Sequence, residues 1–364
     1  MSHAIGRSIL LLSRAADAVG AGRELEIAAT ALSHVGSDVH VAFTSAGGSL
    51  PSRLAAARVP VHQLGRRPEP DVAAACRLAT LIGRLRPEIV LAWGRAQTVL
   101  AAIATRIPQP GGKQPRLVCR VALPPRRLVD AWALTRADRV LASSSSVATA
   151  CEKLGVAARR LETIGPVADT AAGEGLSRET LASRLALDPT NVWSLCVAPL
   201  VASSRLDRLL WSIDQLGVVR RDVEHVLIGS GTQASRLRRR ARVQHLAERL
   251  RIIPFCDCLP DLLRQVRFVW QSGDVPLGGC LFDAMAAGAA TVAVESDAAR
   301  QAIVDGETGW IVPPLPESEL PRRALSLIED DATAARFQAA ARMRAAELFP
   351  ADRFCSRLFD AVAK

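Results

Sequence analysis

The sequence predicts an α/β protein built from two doubly wound, parallel-sheet domains in tandem. Short apolar runs alternate with longer segments of helical period along most of the chain, the signature of parallel strands joined by crossover helices. The alternation lapses once, over Gly165 to Gly175, and then restarts. A length of 364 residues suits roughly two domains of ordinary size. In the first half the expected strands are Ile9 to Leu12, Val39 to Phe43, Ile89 to Ala92, Leu117 to Val121 and Arg139 to Ala142. Between the first two, Arg23 to Val35 sets Leu25, Ala28, Leu32 and Val35 on one face, as an amphipathic helix requires. Gly165 to Gly175 is rich in Gly, Ala and Pro and has no period, so it reads as a linker with the boundary near Ala168. The second half offers Ser194 to Ala198, His225 to Ile228, Arg251 to Phe255, Phe268 to Gln271, Ala290 to Val294 and Trp310 to Val312. After Pro314 only helical patterns follow, and the segment 349–364 presents Phe354, Leu358 and Phe359 for packing back toward the first domain. The expected organisation is therefore 1–168, 169–348 and a closing helix over 349–364.

Composition narrows the class. Apolar residues make up 49% and charged residues 23%, the balance of a soluble globular protein. The longest apolar runs are strand-sized, far short of the roughly 20 residues that span a bilayer. His3 and Arg7 open the chain without an apolar core to follow, so no signal peptide is expected and the expected compartment is the cytoplasm. Of the eight cysteines only Cys256 and Cys258 lie close, with no second pair or histidine cluster to complete a metal site, and they read as reduced thiols. The net charge of +10 raises anionic partners. Its densest run is Ser235 to Arg251, in which Leu237, Ala241, Leu246 and Leu250 fall near helical spacing and leave Arg236, Arg239, Arg240 and Arg249 on other faces. The bland reading is a solvated helix flank. The functional one is peripheral contact through Arg236 to Arg251 with anionic head groups at the inner face of a membrane. No helix-turn-helix, zinc finger or aromatic RNA platform accompanies the charge, so nucleic acid is not an expected partner.

Two open α/β sheets bind ligands at the carboxyl ends of their strands, which makes a cleft between the units the expected site. That architecture alone leaves dehydrogenases, binding proteins and sugar transferases open. The loop after the first strand, SRAADAVGAGRELE, holds only Gly20 and Gly22, not a dinucleotide fingerprint, and the chain has neither a P-loop lysine nor a G-x-S-x-G elbow.

More specific is the stretch SGDVPLGGCLFDAMAAGAATVAVESDAARQAIVDGETGWIVPP, residues 272–314. Its AMAAG at Ala284 to Gly288, then TVAV, then IVDGETGWIVPP resemble in order and spacing the C-terminal domain of family 4 glycosyltransferases. Supporting matches are ADRVLASS at Ala137 to Ser144, KLGVAARRL at Lys153 to Leu161, IGSG at Ile228 to Gly231, GAGRELEIAATALSHVGSDVHV in the first domain and RPEIVLAWG after it. The resemblance covers nearly the whole chain. It implies the two-domain GT-B fold and transfer of a sugar from a nucleotide-diphosphate donor, with retained anomeric configuration, no metal and no cofactor beyond the donor itself. It implies further an acceptor it does not identify, in cell-surface polysaccharide or glycolipid assembly.

Such a reaction builds negative charge on the departing diphosphate, which cations and oriented N–H dipoles must meet. The resemblance places Asp283 at the ribose-gripping carboxylate and puts Gly278 and Gly279 before a helix where their N–H groups would cradle phosphate. It also implies donor contacts at Gly229 and Gly231, and at Gly20 and Arg23 in the first-domain loop. Several positions depart from the family. Val275 stands where the second carboxylate is expected, Pro199 at an arginine and Ser204 at a lysine, while Ala122 and Leu123 replace a His-Gly pair. Arg205, one residue beyond Ser204, is the candidate substitute cation; Arg120, Arg126 and Arg127 read as surface arginines that could add charge. Trp93 and Gly94 end a strand on the acceptor side, where an ordinary core tryptophan is the simpler reading. Two readings follow: a transferase using Arg205 and Arg23, or a catalytically silent relative serving as a binding or partner subunit. A sugar-nucleotide epimerase is disfavoured, because no proton-shuttling pair stands in the matched segments.

Overall fold

The computed structural model describes residues 6–14, 20–45, 48–65, 73–108, 114–126, 128–168 and 173–363. These form two compact units, one of residues 1–166 with 351–364 and one of 167–350.

The first unit holds a parallel sheet of seven strands: β1 Ser8–Ser13, β2 Asp38–Phe43, β3 Val61–Gln63, β4 Ile89–Trp93, β5 Arg116–Val121, β6 Arg139–Ala142 and β7 Leu161–Thr163, in the order β3-β2-β1-β4-β5-β6-β7. The second holds six: β8 Val192–Val197, β9 Val223–Ile228, β10 Leu250–Ile253, β11 Phe268–Gln271, β12 Ala290–Val294 and β13 Trp310–Val312, in the order β10-β9-β8-β11-β12-β13. Helices cover both faces of such a sheet, so the inner strands are buried along their whole length, as β4, β9, β11 and β12 are. The two-domain, doubly wound expectation holds.

β3 and β7, three residues each at the sheet edges, were absent from the sequence reading. Both are only partly buried, so neither shows the apolar run that betrays the inner strands. β10 begins at Leu250, a residue the sequence reading gave to a helix. That helix stops at Val243 and is followed by His245 in a left-handed conformation.

Strand order reverses direction between β1 and β4 in one unit and between β8 and β11 in the other. At such a point the two neighbouring connections leave to opposite sides and open a crevice at the strands' carboxyl ends.

A buried polar row crosses the second sheet. The Trp270 indole N–H donates to Ser194 Oγ at 2.8 Å, and Ser194 lies 2.6 Å from His225 Nδ1. Ser194 thereby links the indole to the imidazole within the sheet. Burial, reinforced by Arg249, pushes His225 down to about 3. The unfolded chain therefore binds a proton below about 6.5 that the folded chain refuses until about 3. Stability is present in full above that upper value and falls by about 1.4 kcal/mol per pH unit beneath it, some 2.7 kcal/mol by pH 4.5. Urea unfolding of wild type and His225→Gln across this window tests it: the variant should lose that slope, and equal slopes would overturn the assignment.

Candidate functional site

In the second unit the crevice between β8 and β11 is lined by two loops, 198–205 after β8 and 272–280 after β11. They are stitched together. Ser272 Oγ donates to the Ser204 carbonyl at 2.8 Å, and Ser204 Oγ donates to the Pro199 carbonyl at 2.6 Å. Gly273 lies so near that a Cβ there would sit 2.6 Å from the Ser203 carbonyl oxygen. The loop after β9 joins them: Leu200 N–H donates to Ser230 O at 2.9 Å and Gln233 N–H to Leu200 O at 2.9 Å. Side chains at Gly229 and Gly231 would collide with the carbonyl oxygens of Ala198 and Leu200 at 2.0 and 2.5 Å. These two glycines therefore act first as spacers that let the β9 loop lie on the β8 loop.

Gly279 has φ 64° and ψ −107°, and a Cβ on it would lie 2.3 Å from the Val197 carbonyl oxygen at the end of β8. It is the hinge that brings the helix Leu281–Ala287 back over the strand ends. The N–H groups of Gly278 and Gly279 donate to the carbonyls of Val275 and Pro276 at 3.0 and 3.1 Å, closing a single tight turn. Both N–H groups are thus engaged within the turn, and Gly279 in addition provides the close approach to β8.

Asp283 stands in the first turn of that helix, 7% exposed. Burial first, and the Asp283 charge second, hold the neighbouring Cys280 thiol well above its ordinary value, so it is an inert neutral thiol. Val275 is buried and packs in the hydrophobic cluster that contains Cys196, Ala198 and Leu200. It serves the core. Ser204 is likewise buried, with its hydroxyl turned into its own loop.

Arg205 is exposed and left-handed, φ 50° and ψ 39°, between the short turn Ala202–Ser204 and the helix Leu206–Val219. Were Ser204 and Arg205 neighbours on one helix, their side chains would point about 100° apart. That geometry does not apply, because the left-handed residue breaks the path between turn and helix. Adjacent to the Ser204 carbonyl that meets Ser272, Arg205 flanks the β11 loop, and it makes no ion pair among the described residues. Arg208, one turn on, is held by Glu317 at 3.5 Å.

The corresponding edge of the first unit is less open in charge. Gly20 precedes the helix Ala21–His34 with φ 50°. Arg23 pairs with Glu26 at 2.9 Å, and Glu26 also receives Arg53 at 2.8 Å. Arg120 corrects the sequence reading outright: it is 1% exposed, not a surface residue. Its guanidinium grips Glu24 through Nε at 2.7 Å and Nη2 at 2.9 Å and donates to the carbonyls of Ile164 and Gly165. Arg126 is exposed and its backbone N–H donates to Asp130; Arg127 lies outside the described residues. Ala122 and Leu123 are half-buried. Trp93 ends β4 almost fully buried, and its indole N–H has no partner among the described residues. An orphan donor at the carboxyl edge of a central strand is a group for a ligand or water to satisfy.

One contributor escaped sequence reasoning. Gln271, 4% exposed at the end of β11, donates through Nε2 to Gly273 O and to Ser296 Oγ, both at 3.0 Å, and so ties the β11 loop to the loop after β12. Its only signal was a polar residue closing the apolar run FVWQ.

Residues 20–172 match the family profile described as Glycosyltransferase Family 4, and residues 193–330 the one described as Glycosyl transferases group 1. No curated protein matches the chain by sequence. Among solved structures, Anabaena Alr3699/HepE in complex with UDP and glucose is similar with a TM-score of 0.80 at 18% identity, over 98% of this chain and 100% of that one. Sucrose-phosphate synthase from Thermosynechococcus elongatus follows at a TM-score of 0.76 and 14% identity, over 98% of both chains. A glycosyltransferase from Rickettsia africae gives 0.72 at 14% identity, over 98% of both.

Proposed function

The chain belongs to the family 4 glycosyltransferases, and from that premise we propose that it moves a sugar from a nucleotide-diphosphate donor to an acceptor, with retained anomeric configuration and without a metal ion. The observation that carries this reading is the stitched crevice between β8 and β11, closed by glycines that tolerate no side chain and flanked by Arg205, which has no ion pair among the described residues. In it Asp283 accepts from the ribose hydroxyls, since a carboxylate offers two acceptor oxygens. Arg205 meets the charge that develops on the departing diphosphate. Arg23 adds positive charge only by exchanging Glu26, so it is the lesser contributor. Gly20, Gly229, Gly231, Gly278, Gly279 and Ser204 shape the loops. The proposed setting is cell-surface polysaccharide or glycolipid assembly at the cytoplasmic face of a membrane, with contact through the Arg236 to Arg251 region. No helix among the described residues is long and apolar enough to cross a membrane. Alr3699/HepE is described with UDP and with UDP-glucose, which makes a uridine donor the first to try.

Thermal unfolding with UDP, GDP, ADP and their sugar derivatives tests the donor site. A ligand at about 100 times its Kd adds roughly 2.7 kcal/mol, a shift of a few degrees. The shift is expected with UDP and its sugars and should vanish in Asp283→Ala. With an acceptor in hand, Arg205→Ala should slow transfer about a hundredfold, the scale of losing one transition-state donor, while changing nucleotide affinity far less. A second reading, a silent sugar-nucleotide-binding subunit, is favoured by Val275 in the core and by the locked Ser204 hydroxyl. It expects the thermal shift with neither donor hydrolysis nor transfer. No shift with any nucleotide would overturn both and leave the other form of the silent reading, a partner subunit that binds no donor.

A further inference from the structure

Away from the crevice, at the opposite, amino-terminal edge of the second sheet, the helices Leu206–Val219 and Ala234–Val243 come to their ends before β9 and β10. Three valines stand there in solvent: Val218 is 77% exposed, Val219 61% and Val243 70%. Exposed aliphatic residues scattered singly need no explanation. Here arginines stand close in the chain: Arg220 and Arg221 follow Val219, and Arg242 precedes Val243. In the second helix Leu237 and Ala241 face inward, and Arg236 and Arg240 are both held by Asp207 at 2.9 and 2.6 Å. The stripes that remain are Arg238 with Arg242 and Arg239 with Val243, each four apart and so on one line of the helix surface. Arg238, Arg239 and Arg242 are exposed and make no ion pair among the described residues.

Between the two helix ends lies a hollow of about 340 Å³ lined by Asp214, Val218, Arg221, Gln244, His245 and Arg249, among others, so that one carboxylate stands among its cations. Arg249 donates to the Gly217 carbonyl at 3.2 Å and so offsets the negative end of the first helix. Beside it, Gln244 keeps a buried amide oxygen with no partner among the described residues. Arg221 is exposed at the rim and makes no ion pair among the described residues.

We propose that this edge is a docking face for an anionic lipid bilayer, with Arg238, Arg239 and Arg242 against the head groups and Val218, Val219 and Val243 entering the interface. Charge complementarity names the occupant. A field of unpaired guanidiniums beside protruding aliphatic side chains suits a surface that is anionic at the top and apolar beneath. The proposal sharpens the membrane contact of the proposed function from the whole run Arg236 to Arg251 to these residues. Its test reads binding alone, so its failure leaves the donor-site result untouched.

The full chain is floated with vesicles of phosphatidylcholine and with vesicles carrying about one-third phosphatidylglycerol. Binding is expected only to the second kind and should weaken as salt screens the charge. Each arginine near such a surface is worth about fivefold in partitioning, so Arg238→Gln/Arg239→Gln/Arg242→Gln should bind about a hundredfold more weakly. Arg106→Gln/Arg159→Gln/Arg353→Gln, the same charge change elsewhere, should stay within about fivefold of wild type. Val218→Ser/Val219→Ser/Val243→Ser should remove the part of binding that survives high salt. Glycerol phosphate in solution should compete poorly, because it offers no interface to the valines. Equal losses in both arginine triples would reduce the effect to general basicity and overturn the proposal. So would absence of anionic-vesicle binding, or binding of single-stranded RNA in place of vesicles.

Discussion

Arg120→Ala is expected to destabilise the first unit by about 3–5 kcal/mol, the usual cost of leaving one member of a buried ion pair without its partner. Arg120 and Glu24 are each 1% exposed, and the pair is bidentate. Removing the guanidinium strands the Glu24 carboxylate in an apolar interior and frees the carbonyls of Ile164 and Gly165, which it also holds. The pair need not be a net source of stability: Arg120→Met with Glu24→Leu should recover most of the loss, because two apolar groups of similar size leave no buried charge. Urea unfolding of the three proteins decides the matter. A loss under about 1 kcal/mol in the single variant would mean that water reaches Glu24 and that the site is not the dry one described.

The second large effect belongs to Gly279. Gly279→Ala should cost at least about 3 kcal/mol, combining a backbone region reserved for glycine with a Cβ placed 2.3 Å from a backbone oxygen that cannot rotate away. Gly175 provides the control, since it has φ 71° but nothing within 4 Å of its would-be Cβ. Gly175→Ala should cost only the roughly 1–2 kcal/mol of left-handed conformation. If Gly279→Ala folds with a loss no greater than Gly175→Ala, the loop moves freely and the stitched crevice is not rigid. If the effect is as large as expected, nucleotide-dependent stabilisation should disappear with it, because the helix carrying Asp283 would be displaced.

The inner strands were legible because a sheet covered on both faces leaves uninterrupted apolar runs, and those runs stand out in sequence. β3 and β7 were not, since three half-exposed residues at an edge resemble any loop. Arg120 shows the limit for side chains. Within LVCRV it reads as a charge at a strand's surface, and the partner that makes it a core residue lies 96 positions away. Arg205 shows the same for backbone: no neighbour announces that it turns left-handed, yet that turn decides whether its guanidinium shares a direction with Ser204. The glycines of the β9 and β11 loops were legible as special but not as to why, because the oxygens they clear come from β8 and the loop after it.

The helix Ala351–Ala363 belongs to the first unit, where Phe354 lies under the Arg120 guanidinium at 5.8 Å and Arg7 donates to the carbonyls of Val362 and Ala363. On the ribosome this reverses the usual order of assembly. Residues 167–350 are made between the two parts of that unit, which at about 5–20 residues per second takes roughly ten to forty seconds. For that interval the first sheet is synthesised but its covering helix is not, and the whole of the second unit is synthesised before that helix begins. The later-made unit can therefore be the first to finish, and the nascent first unit is the one a chaperone would meet with its apolar side uncovered.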